Sequence, residues 1–131
     1  MQYIIYCDES VKNGEYYSNF YGGALVRSIH LQEVKTVLEN KISELNINGE
    51  VKWQKVTANY LEKYKSLVDT VFGLIKQDKI KIRIMFTHNA FIPVGLTKEQ
   101  RDNEYFLLYY QFFKHAFGLK YSNSTKEPIS I

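Results

Sequence analysis

The chain has 131 residues, with 17 Lys and Arg against 14 Asp and Glu, for a formal net charge of +3 at pH 7. That length fits one domain over residues 1–131, able to bury roughly 65–70% of the surface of its unfolded chain. Hydrophobic residues at 45% and charged residues at 24% exclude wholesale disorder, and no apolar run approaches the ~18–20 residues of a membrane span.

The N-terminus, Met1-Gln2-Tyr3-Ile4-Ile5-Tyr6, lacks a basic segment and meets acids at Asp8 and Glu9, unlike a secretory signal. Residues 2–7 form a continuous apolar run without helical period, which predicts a strand buried on both faces. The single cysteine, Cys7, allows neither an internal disulfide nor a cysteine-based zinc site. These features together lead to the expectation of a cytoplasmic protein with no membrane partner. Residues 11–15, with Lys12-Asn13-Gly14-Glu15, read as a turn, and the Tyr-rich residues 16–27 as a second strand. Gly22-Gly23 inside it predicts a bulge or a close backbone approach.

Over residues 30–45, Leu31, Val34, Leu38, Ile42 and Leu45 recur at helical spacing with charged residues between them, an amphipathic helix. Asn46-Ile47-Asn48-Gly49 breaks it. Residues 50–56 are predicted to be a strand or extended turn. Asn59 and Glu62 resemble a capping pair that opens a second helix through Tyr60, Leu61, Tyr64, Leu67, Val68, Val71, Phe72 and Ile75. Residues 79–87 alternate, with Ile80, Ile82, Ile84 and Phe86 on one side and Lys79, Lys81, Arg83 and Met85 on the other, the mark of a strand with one polar face. Residues 88–103, holding Pro93 and Gly95, read as a long loop. Residues 104–118 predict a third helix, apolar nearly all round and ended by Gly118, which must be buried or meet a partner. Pro128-Ile129-Ser130-Ile131 looks like the start of another strand. This alternation points to an α/β layer fold.

Two constellations carry chemistry. Asp8-Glu9-Ser10 follows a strand, where open α/β sheets place their sites, and its carboxylates suit Mg²⁺ or Mn²⁺. The plain alternative is a solvated turn. In Glu50-Val51-Lys52-Trp53, an extended backbone puts Glu50 and Lys52 on one face and Val51 and Trp53 on the other. The apolar pair would anchor the segment. Glu50 would then add a carboxylate to a metal held by Asp8, and Lys52 would meet a phosphate. The plain alternative here is a surface ion pair beside a half-buried Trp.

The remaining candidates are weaker. His30, His88 and His115 lack ligand spacing; His88, beside Asn89 at a strand end, is the most site-like and the candidate substrate contact. Cys7 reads as inert core. Tyr105, Phe106, Tyr109, Tyr110, Phe112, Phe113 and Phe117 either stack bases or form core or an oligomer interface. Lys79, Lys81 and Arg83 either follow phosphates or form a solvated strand face. The charge is uneven: residues 50–83 carry 8 bases and 4 acids, residues 1–49 carry 4 and 6. A weakly basic middle permits a nucleic-acid partner.

Asp8-Glu9-Ser10, then Gly22-Gly23-Ala24-Leu25-Val26, a helix, Glu50-Val51-Lys52-Trp53 and a Tyr-rich helix form a pattern in order. It resembles the bacterial and phage family labelled domain of unknown function 3800, placed in the ribonuclease H-like superfamily. The resemblance implies a five-stranded mixed sheet flanked by helices, with Mg²⁺ or Mn²⁺ held by Asp8 and Glu50. Glu9, Ser10 and Lys52 would support those ligands or touch substrate. The implied activity is metal-dependent phosphodiester hydrolysis, with Asp8, Glu9, Glu50 and Lys52 as its catalytic group. Members of the family are longer and carry a further acidic residue after the strand begun at Pro128. The chain thus resembles an N-terminal portion, truncated at its C-terminus. The rival expectation is a non-catalytic module that binds nucleic acid or protein. An unfinished strand and an apolar helix also predict a homo-oligomer.

Overall fold

The computed structural model describes residues 2–10, 13–91, 93–121 and 129–130. The chain divides into two compact units, one of Met1–Leu25 with Ile82–Ile131 and one of Val26–Lys81.

The first unit is built on a sheet. β1 (Tyr3–Ser10), β2 (Tyr17–Arg27) and β3 (Ile80–His88) are antiparallel, and β4 (Ile129–Ser130) lies parallel to β1, giving the order β3-β2-β1-β4. Tyr3 pairs with Ile129 and Ile4 with Ser130, so the strand expected near the C-terminus is present at these two residues. Pro128 and Ile131 lie outside the described residues. β1 is therefore an inner strand. It is not buried on both faces as expected: Ile5 is 2% exposed, whereas Tyr6 is exposed. The strand also runs on through Asp8, Glu9 and Ser10, which are strand residues and not a turn after it.

The helical part of this unit begins inside the stretch expected to be loop. α3 (Lys98–Asp102) opens on a capping box, in which Thr97 accepts from the Gln100 N–H and Gln100 accepts from the Thr97 N–H. α4 (Glu104–Gln111) follows, then a π turn over Phe112–Ala116 closed by the Phe117 N–H on the Phe112 carbonyl at 3.2 Å. Gly118, at φ +70°, ends the run as expected. The wide turn directs Phe112 and Phe117 together, edge to face with centroids 5.0 Å apart. Both rings press on Gly23 of β2, where a Cβ would come within 3.1 Å of Phe117, 3.2 Å of Phe112 and 3.1 Å of the Tyr6 carbonyl oxygen. The close approach predicted at Gly22-Gly23 is real at Gly23; a Cβ at Gly22 would meet nothing within 4 Å. Phe112 is fully buried, a contribution of about 1.5–3 kcal/mol. The rest of α4 is not buried within the chain: Phe106, Leu107 and Tyr110 are exposed.

β3 does not bury its apolar side along its whole length. Ile80 is buried, but Ile82, Ile84 (66%) and Phe86 are exposed, while Met85 and Thr87 are half-buried. Among the described residues β3 has one strand neighbour, and Phe86 is covered only in part, by Tyr17 and Phe20 at 5.1 and 5.4 Å between centroids.

In the second unit α1 (Ser28–Glu44) packs on α2 (Leu61–Lys76). Its buried apolar side chains are Val26, Val34, Leu67, Leu74 and Ile80. The break after α1 is made by Asn46 and Gly49, both at positive φ. Residues 53–55 form a single 3-10 turn, not a strand, flanked by extended backbone at Lys52 and Val56. α2 starts at Leu61 after Tyr60, with no side-chain cap, so the Asn59–Glu62 pair does not cap it. Val68 and Phe72, two of the apolar residues whose period marks this helix, are exposed. Among the described residues no helix is long and apolar enough to cross a membrane.

Candidate functional site

Asp8, Glu9 and Ser10 end an inner strand, and strand geometry separates their directions. Successive side chains alternate, so Asp8 and Ser10 share a face with Tyr6, while Glu9 lies with Ile5 and Cys7. All three end residues are exposed. The Asp8 Oδ1 accepts the Glu9 N–H at 3.0 Å. Glu9 is held far more firmly. Tyr105 Oη donates to its Oε1 at 3.2 Å, and Tyr109 Oη donates to its Oε2. Tyr105 and Tyr109 sit four residues apart on α4, hence on one helical face. Tyr21 of β2 packs edge to face on Tyr109 at 4.7 Å.

These contacts set the local electrostatics. The Tyr109 hydroxyl is pushed well above the tyrosine range, first by burial, then by its bond to Glu9 and the nearby Tyr105. Tyr21 is raised by burial, then by Tyr105, Glu9 and Glu104. The Cys7 thiol, half-buried in β1, is raised by burial first and by Glu9 and Asp8 next.

Beside Glu9 and Ser10 opens a cavity of about 420 Å³, whose walls include Asn19, Tyr21 and Tyr105 and the α3–α4 residues Arg101, Asp102 and Glu104. A second cavity of about 420 Å³ is lined by Asn13, Thr87, His88, Asn89 and Phe91, and it shares Asn19 and Glu104 with the first. His88 thus lies in a cavity that adjoins the one beside Glu9 and Ser10. Its Nδ1 accepts the Ala90 N–H at 3.1 Å, which assigns the ring proton to Nε2 in the neutral imidazole.

Glu50 and Lys52 belong to the second unit. Lys52 Nζ lies 2.8 Å from Glu50 Oε2. The bond to Lys52 holds the Glu50 carboxyl below its ordinary range, and Glu50 in turn raises Lys52. The two therefore share a face, as expected. Val51 and Trp53 do not anchor the segment: Trp53 is 87% exposed, and both line a surface groove with Val56, Leu61 and Tyr64. The 3-10 turn at Trp53 ends the alternation that would have buried them.

The basic residues at the start of β3 and just before it are already engaged. Lys79 bonds Glu33, Lys81 lies 3.5 Å from Asp78, and Arg83 donates to the carbonyls of Ala116 (3.1 Å) and Ile82 (2.8 Å). His30 lies 4.0 Å from Glu33. Among the described residues no group of three or more His, Cys, Asp or Glu is placed to hold a metal ion.

Asp8 and Glu9 belong to the first unit and Glu50 to the second, so each carboxylate stands singly. Asp8, Glu9 and Glu50 offer carboxylate oxygens only, the ligands of Mg²⁺ and Mn²⁺. Asp8 has one oxygen without a protein partner among the described residues. Glu9 has both oxygens committed to tyrosines, so it is the least suited of the three. Asn19, Tyr105 and Tyr109 have roles that the sequence reading did not assign. The spacing of the two tyrosines was a usable signal; for Asn19 there was only the tolerance of Asn for positive φ, and it sits at φ +52° within β2.

No family model matches this chain, and neither a curated protein nor a solved structure matches it.

Proposed function

We propose that the chain is a divalent-metal-dependent nuclease of the ribonuclease H-like type. The observation that carries this reading is the position of Asp8 and Ser10 at the exposed C-terminal end of the inner strand β1, next to a cavity walled by Glu9 and Ser10. The four-stranded mixed sheet among the described residues supports the superfamily likeness. In this reading Asp8 and Glu50, the ligands that the family resemblance implies, would hold Mg²⁺ or Mn²⁺, and the metal would supply an activated water and stabilise the leaving oxygen of a phosphodiester.

The chain's own residues do the rest. Lys52 leaves Glu50 to face a phosphate oxygen, where its ammonium offsets developing negative charge. Ser10 donates its hydroxyl to the substrate backbone. Glu9, fixed by Tyr105 and Tyr109, holds the end of β1 in place beside Asp8. His88 offers Nε2–H to the substrate. A homo-oligomer belongs to the same reading, supported by the exposed apolar side chains of α4; a monodisperse monomer in light scattering would overturn that part.

A second reading, a non-catalytic module that binds nucleic acid or protein, is favoured by the ion pair that occupies Glu50. Metal titration separates the two. The nuclease is expected to gain melting temperature with Mg²⁺ or Mn²⁺ and to cleave DNA or RNA. Asp8→Asn and Glu50→Gln are each expected to abolish cleavage with circular dichroism unchanged. Activity that survives both substitutions removes the assigned site, and the absence of any metal response removes the enzyme.

A further inference from the structure

The two adjoining cavities differ in chemistry, and the difference identifies a ligand. The first carries Glu9, Asp102 and Glu104 against one Arg101. Apart from Glu104, the second is lined by neutral groups, among them the amides of Asn13, Asn19 and Asn89, the Thr87 hydroxyl, and the rings of His88 and Phe91. Among its described lining residues there is no Lys or Arg. A phosphate seated there would lack a counter-charge and would meet Glu104. A neutral heterocycle would not.

The polar groups are partly committed, which defines what they still offer. Asn89 uses its Nδ2 on the carbonyls of Gly14 (2.7 Å) and Glu15 (3.1 Å), and its backbone N–H on Tyr16 (2.9 Å). It therefore presents only its Oδ1 as an acceptor. Asn19 gives one Nδ2 hydrogen to Thr87 Oγ1 at 3.2 Å, and Thr87 gives its own to the Ser18 carbonyl at 2.9 Å. Asn19 keeps a second donor and its Oδ1. His88 offers Nε2–H. This is a set of neutral donors and acceptors of the kind that reads a base edge. Phe91 is 79% exposed, held by its N–H on the His88 carbonyl at 3.0 Å, with its ring 5.2 Å from His88. Such a ring is a stacking surface for a base. The volume, about 420 Å³, falls in the range of about 300–1,000 Å³ typical of small-ligand cavities.

We propose that this second cavity takes one unpaired nucleobase, so that the substrate is a single strand of nucleic acid; its place beside a scissile bond rests on the nuclease reading above. A base in a duplex has its hydrogen-bonding edge paired and its faces stacked, and cannot enter. Asn19 and Glu104 wall both cavities, so a base seated by Phe91 adjoins the cavity that Ser10 lines. Asn19 holds that junction in the left-handed region, a strained geometry for a strand residue.

The test is fluorescence anisotropy of short labelled DNA and RNA single strands and the matching duplexes, with Ca²⁺ replacing Mg²⁺ to prevent cleavage. The full chain is expected to bind single strands at least about tenfold tighter than duplexes, and Phe91→Leu to lose about tenfold on single strands alone. Asn13→Ala, at another exposed position, is expected to weaken the same arm. The stronger of the DNA and RNA arms identifies the backbone. Equal affinity for duplexes, binding indifferent to Phe91 and Asn13, or no binding to any strand overturns the proposal. Cleavage with Mg²⁺ is scored separately. Metal-dependent cleavage with Phe91-independent binding sinks the base cavity and leaves the nuclease. Phe91-dependent binding without cleavage upholds the cavity and sinks the nuclease.

Discussion

Tyr109 donates its hydroxyl to the carboxylate of Glu9, 100 residues earlier in the chain. With Tyr105 on the other oxygen at 3.2 Å, Glu9 is held at both ends of its carboxylate. That bond fastens α4 to the end of β1, and it assigns different work to two adjacent acids. Glu9 is a structural acceptor beside the cavity, and Asp8, pointing to the opposite face, is the carboxylate with an oxygen to spare.

The Glu9–Tyr109 pair is expected to show as an energetic coupling. Tyr109→Phe removes the donor and Glu9→Gln the charge. A hydrogen bond to a charged group contributes about 1.5–3 kcal/mol, reduced here because Glu9 is exposed to water. Each single variant should lose about 1 kcal/mol in urea unfolding, and the double variant less than the sum. Strict additivity would show that the two groups do not interact in solution.

The same pair makes a prediction for alkaline pH. Burial and Glu9 raise the Tyr109 hydroxyl above its ordinary value, near 10 in an unfolded chain. A raised folded value means that the stabilisation is fully present below about pH 10 and lost as pH climbs through the folded value. Above about pH 10 the unfolded chain releases the proton first, so unfolding is favoured. The urea midpoint of the wild type should fall steeply there, and Tyr109→Phe should fall less. Tyrosinate absorbance would follow the ionisation directly. Identical alkaline slopes for both proteins would contradict the assignment.

Much of the fold is legible in the residue order because local patterns and packing agree. Leu31, Val34, Leu38 and Ile42 mark α1 by period, and α1 is there. Gly118 marks a helix end and takes positive φ. Thr97-Lys98-Glu99-Gln100 spells a capping box, hidden by the nearby Pro93 and Gly95 that made the region read as loop. β3 shows the limit. Ile82, Ile84 and Phe86 alternate correctly for a strand, but period 2 does not say which face is covered, and beyond the buried Ile80 this side is exposed, as are Lys81 and Arg83 on the other. At Glu50-Val51-Lys52-Trp53 the alternation expected of an extended chain stops at Trp53, where the backbone turns. The site was legible only in part. Asp8, Glu9, Ser10 and His88 announce themselves by type and position, whereas the bond between Glu9 and Tyr109 depends on how α4 meets β1.

Gly23 and Gly22 should respond differently to the same change. An Ala at residue 23 puts a methyl 3.1 Å from a backbone carbonyl oxygen, which cannot swing aside, and against two packed rings. Overpacking of this kind costs about 1–3 kcal/mol. An Ala at residue 22 meets open space and should stay within about 0.5 kcal/mol of wild type. Chemical denaturation of both variants checks the contrast. A neutral Gly23→Ala would mean that the Phe112–Phe117 pair does not seat against β2.

The π turn makes a stronger demand on Phe112. Its ring is 0% exposed, packed on Phe117 at 5.0 Å and near Tyr21 at 6.3 Å. Phe112→Ala should cost about 3–5 kcal/mol, the transfer of the ring plus the cavity it leaves. Trp53→Ala removes a larger ring, but Trp53 is 87% exposed and should change stability by no more than about 0.5 kcal/mol. Sequence alone ranks them the other way, since Trp is the larger apolar group. Thermal unfolding of the two variants decides between size and burial. A Trp53→Ala loss as large as that of Phe112→Ala would show that the residue 53 ring is covered in solution.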